Sequence, residues 1–264
     1  MSAISDETVP PAAMPERGFD AGAAAVDVAA GRVRKTGLRL LVRAILWCLG
    51  AVFFAGITGF AAGFSLSVTG IKLGLTPGHL NTIYYICGLV GAGGTLLYAA
   101  RRNGRIAGDG DLRRGLGDGP MRRVWPVILL AVGVAIYGSL VSYAVFRQPA
   151  MLRGVAETGW LLNILLVALA ILLAPLAEEL FFRGWLWTAL RQHWAAPLVA
   201  LVTSLLWLGL HLPDGVGRTL ALIPVAVCIV LARHFAGTVS AALAVHIVYN
   251  IFSVGMPFLL LAAR

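Results

Sequence analysis

Seven apolar stretches dominate this chain, and each is long enough to demand a lipid environment or a very large core. A helix needs about 20 apolar residues to cross about 30 Å of hydrocarbon. Windows of that kind lie near residues 42-68, 80-100, 124-147, 159-178, 195-212, 217-233 and 239-262. With 59% hydrophobic residues, only 12% charged and a mean hydropathy of +0.86, no soluble domain of 264 residues would use so many apolar side chains. The sequence predicts an all-α polytopic transmembrane bundle of about seven to eight spans. Residues 180–194 mix Phe, Trp and Leu with Arg183, Arg191 and His193, which reads as an interfacial or re-entrant helix linking two spans.

The net charge of +9 does not point to nucleic acid, because the basic residues flank the apolar runs. Arg32, Arg34, Lys35, Arg39 and Arg43 precede the first span, and seven arginines from Arg101 to Arg123 lie between the second and third. The positive-inside rule places both segments in the cytoplasm, so the expected setting is a multi-pass cell (inner or plasma) membrane protein with a cytoplasmic N-terminus. Three regions follow: a disordered tail over 1-38, N-terminal spans over 39-150 with an Arg-rich loop at 101-123, and a core over 151-264. The tail lacks the basic-then-apolar order of a cleaved signal peptide. Cys48, Cys87 and Cys228 sit in apolar runs without CxxC spacing and read as small buried hydrophobes. Small residues in GFAAG (59–63) and GLVGAGG (88–94) let helices approach closely.

Against this background AEELFFRGW stands out, because it sets Glu178 and Glu179 at the end of an apolar run with Arg183 just beyond. Charged groups at membrane depth cost several kcal/mol unless paired or solvated, so they mark a functional site by default. On a helix Glu179 and Arg183, four apart, share a face, while Glu178 points about 100° away. Glu179 is thereby neutralised, and Glu178 keeps the free carboxylate that a general base requires. Trp207 and His211 are likewise four apart on one helix, and so are His246 and Asn250. The last pair suits an oxyanion hole, and His211 suits the holding of an attacking water against Glu178. Each of these has a structural rival: an ion-pair network at a helix end, a hydrogen-bonded core histidine, or interhelical polar glue. Two GxGD strings end in Asp111 and Asp118, but both fall in the hydrophilic Arg-rich loop.

Three motifs in order, EELFFR at 178–183, WLGLH at 207–211 and HIVYN at 246–250, resemble those of the CAAX prenyl protease and bacteriocin-processing (CPBP or Abi) intramembrane proteases, EExxxR, FxxxH and HxxxN or HxxxD. The resemblance covers roughly residues 155-255, with Trp207 where that family usually has Phe, a change that keeps an aromatic pocket wall. It implies that Glu178 activates water together with His211, that His246 and Asn250 form the oxyanion hole, and that the substrate is a peptide or protein in the bilayer. The family is commonly labelled metalloprotease, and Glu178, His211 and His246 are the ligand types of a catalytic zinc. HExxH is absent, however, and Asn250 is a poor zinc ligand but a good oxyanion donor, which favours a metal-free mechanism. The Arg-, Ala- and Gly-rich composition looks bacterial, and bacteria generally lack prenylated substrates. The rival functions are a transporter using the Glu pair as an ion relay and a non-catalytic bacteriocin-immunity protein.

Overall fold

The computed structural model describes residues 29–144 and 158–262, which are helical without a strand. Helix α1 spans Ala29–Leu73, α2 Pro77–Ala107, α3 Leu112–Leu116 and α4 Val124–Ala144. After them come α5 (Trp160–Arg191), α6 (Ala196–Leu210), α7 (Val216–Ala236) and α8 (Val239–Leu261). Among the described residues six of these are long and apolar enough to cross a membrane: α1, α2, α4, α5, α7 and α8. The expected polytopic helical bundle is thus what forms. Of the seven expected windows the fifth, 195-212, yields the shorter α6, 15 residues and about 22 Å long at 1.5 Å per residue.

Two expected boundaries also move. Helix α1 begins at Ala29, inside the stretch assigned to a disordered tail over 1-38, whose earlier part lies outside the described residues, as do residues 145–157 at the expected boundary between halves. More consequentially, residues 180–191 form no separate interfacial helix but continue α5 through the Glu-Glu motif to Arg191. The reason is packing and pairing. Phe181, Phe182, Trp185 and Leu186 are all buried, and the Arg183 charge is matched by Glu179 one turn earlier, so the arginine does not force an exit to water. The helix stops at Arg191, whose guanidinium donates to the carbonyl of Trp194.

Close helix approach rests on glycine where the small-residue strings suggested it, though not throughout. A Cβ on Gly91 of α2 would lie 2.9 Å from the carbonyl oxygen of Phe54 in α1, and one on Gly59 would strike the Tyr84 ring, whereas Gly63 and Gly94 have open space. The Arg-rich loop is tied to the α7–α8 turn. Arg122 N–H donates to Ala236 O at 3.1 Å, Gly119 N–H to Thr238 Oγ1 at 3.2 Å, and Ser240 Oγ–H to Asp118 Oδ1 at 2.8 Å. Asp111 caps α3 by accepting from Arg113 N–H at 2.9 Å. Both aspartates of the GxGD strings therefore hold loop structure.

Helix α5 is irregular in two places, with widened π-type turns at Leu169–Leu173 and Leu180–Leu186. Such turns disturb the regular backbone ladder, and disturbed carbonyls need new donors. Asn250 Nδ2 donates to Ala170 O at 2.8 Å in the first turn, and the buried Arg233 donates through Nε to Arg183 O at 2.8 Å in the second.

Candidate active site

The two glutamates separate as the helical geometry requires. Glu179 is fully buried and accepts from Arg183 Nη1 at 3.2 Å and from His246 Nδ1 at 2.8 Å. A buried charge of this kind is tolerated only with partners, and Arg183, itself fully buried, lies over the rings of Trp207 at 5.2 Å and Phe182 at 5.9 Å. Glu178, on the adjacent face, lines a cavity of about 330 Å³. Its Oε2 accepts the indole N–H of Trp207 and stands 4.0 Å from His246 Nε2, while Oε1 has no hydrogen-bond partner among the described residues.

His211, at the end of α6, lines the same cavity. Its Nδ1 is 3.0 Å from Trp207 O, and because a carbonyl only accepts, Nδ1 carries a proton, which in the neutral ring leaves Nε2 its lone pair. Its ring packs against that of Trp207 at 4.6 Å, and the His246 ring meets Trp207 edge-on at 5.5 Å. Most of the cavity wall comes from α1 and α2, including Ala51, Ala55, Gly56, Gly88, Ala92 and Gly93, and Asp214 also lines it.

The structure thus brings Glu178, Glu179, Arg183, Trp207, His211 and His246 into one cluster. Asn250 lies one turn beyond His246 on α8, but its amide faces Ala170 O, and neither His246 nor Asn250 lines the cavity. The expected zinc ligands do not fit an ion as arranged. Among the described residues no group of three or more His, Cys, Asp or Glu side chains stands close enough together to hold a metal ion.

Sequence reasoning treated Trp207 as a pocket wall and missed its N–H on Glu178, although indole is a donor that needs a partner when buried. It also missed Arg233, whose role depends on a backbone carbonyl displaced by a π-type turn and left no sequence signal.

Residues 159–252 match the family model described as Type II CAAX prenyl endopeptidase Rce1-like. That segment is similar to the Rce1-like family. All three motifs lie inside the matched segment, and together with the six membrane-length helices the match supports a multi-pass, membrane-embedded endopeptidase of the CAAX type in general terms. No curated protein matches the chain, and no solved structure does. Helices α1, α2 and α4 lie outside the Rce1-like match, so most of the cavity wall is supplied by a part of the chain without a family assignment.

Proposed function

We propose that this protein is an intramembrane endopeptidase that hydrolyses a peptide bond with water activated by Glu178 and without a metal. Glu178 Oε1 and His211 Nε2 are both acceptors at one cavity. A water that donates one proton to each presents its lone pair to a scissile carbonyl carbon. Oε1 takes one water proton as the oxygen–carbon bond forms, and the carbonyl π electrons move onto oxygen. That oxyanion is met by Nε2–H of His246 in its doubly protonated form, with Nδ1–H held by Glu179, and by the Asn250 hydrogen not given to Ala170, which requires the carbonyl to enter between Glu178 and His246. Collapse breaks the C–N bond, the amine nitrogen takes the proton from Glu178, and water plus amide become carboxylic acid plus amine.

The observation that carries this reading is the pairing of Glu178 and His211 at one cavity, with Glu179 neutralised behind them by Arg183 and His246. Glu179 and Arg183 are structural in it, and the substrate is a peptide or protein segment within the bilayer. The Arg-rich segments support placing the N-terminus and the α7–α8 turn, tied to the Arg-rich loop, on the cytoplasmic side of a cell membrane. Comparative peptidomics of cells expressing the parent or Glu178→Gln tests the reading. It expects cleavage products that vanish in the variant at equal protein level. An unchanged peptide profile, or altered ion flux without any cleavage, refutes it.

A further inference from the structure

We propose that Trp207 is a positioning residue whose indole N–H selects Oε1 of Glu178 as the base atom and keeps it aimed into the cavity. The inference rests on Glu178 being the base.

A glutamate carboxylate rotates easily about its last bond, so a base on such a side chain needs an external restraint to present one oxygen. Here the restraint is Trp207, which donates its N–H to Oε2 and leaves Oε1 without a hydrogen bond among the described residues. The donor is itself immobilised. Trp207 is fully buried, with the Arg183 guanidinium over its ring, the His246 edge against it and the His211 ring at its side. A rigid donor with only two side-chain torsions restricts its acceptor more than a flexible one.

The same residue also governs the second water-holding group. Its carbonyl accepts Nδ1–H of His211, which in the neutral ring makes Nε2 the acceptor nitrogen. That second role belongs to the backbone and survives any substitution, whereas the first belongs to the indole nitrogen alone. Phenylalanine, found at this place in the pattern the chain resembles, would keep a ring beneath Arg183 but offer no donor.

The test uses the full-length protein in liposomes and a quenched fluorogenic peptide that the parent cleaves. Two replacements remove the N–H: Trp207→Phe, and β-(3-benzothienyl)alanine at position 207, which keeps the shape of tryptophan. Loss of one hydrogen bond to a charged group predicts that kcat falls about 10- to 100-fold in both. KM is expected to stay within about twofold, because the lost contact does not touch substrate. The benzothienyl protein should melt with the parent, which separates orientation of the carboxylate from loss of packing. Parental kcat in the benzothienyl protein overturns the inference, as does a raised KM at unchanged kcat. If Glu178→Gln is inactive while both replacements are fully active, this inference alone fails. If Glu178→Gln cleaves as well as the parent, the protease reading fails with it.

Discussion

Arg183→Met should be the most destabilising single change in the core, and its cost can be worked from the buried pair. At 3.2 Å two unit charges attract by about 5 kcal/mol at an effective dielectric near 20. Much of that offsets desolvation, but with neither partner exposed the variant strands Glu179, whose remaining hydrogen bond comes from His246. Breaking a buried pair from one side costs about 3–5 kcal/mol. At about 2–4 °C per kcal/mol for a chain of this size, the melting temperature should fall by roughly 6–20 °C. Thermal unfolding in one detergent, followed for Arg183→Met, Glu179→Gln and the double variant, tests this as a cycle. The double variant removes the stranded charge and should melt above Arg183→Met. Strict additivity, or a loss below about 1 kcal/mol in Arg183→Met, would show that the charge is solvated and refute the reasoning.

Glu178→Gln should lower peptide cleavage by about 100- to 10,000-fold while the melting temperature holds, measured with the fluorogenic peptide. Gly56→Leu projects into the cavity, where a Cβ meets nothing within 4 Å, and should lower kcat/KM by roughly tenfold or more without loss of stability. Asn250→Asp leaves the Ala170 carbonyl without its donor and places a carboxylate before it, so it should cost about 1–3 kcal/mol, more than Asn250→Ala, in the same unfolding assay.

Much of the site was legible because helical spacing is a local rule. The pairs Glu179–Arg183 and Trp207–His211 needed only the four-residue repeat, and both meet as that repeat requires. The opposed faces of Glu178 and Glu179 followed from the same geometry. What escaped was set by contacts between distant segments. Residues 180–194 looked interfacial because Arg183, Arg191 and His193 alternate with Phe, Trp and Leu, and only the burial of Arg183 among Phe182, Trp207 and Glu179 shows why α5 runs on to Arg191. Asn250 shared a face with His246 as expected, yet the π-type turn at Leu169–Leu173 offers it a backbone acceptor that no spacing rule reveals. The close approach of α1 and α2 could be read from Gly59 and Gly91, but that their hairpin walls the cavity could not.

That division of the cavity has an evolutionary corollary. The groups proposed to perform hydrolysis sit on α5, α6 and α8, whereas the contour that an incoming chain would feel is drawn largely by α1 and α2, through alanines and glycines set among Tyr84, Tyr85, Leu89 and Leu96. Exchanging one small residue for another on that hairpin reshapes the receptacle and leaves the reacting groups in place. Related proteins can therefore diverge in what they accept through their amino-terminal helices while preserving a common reaction.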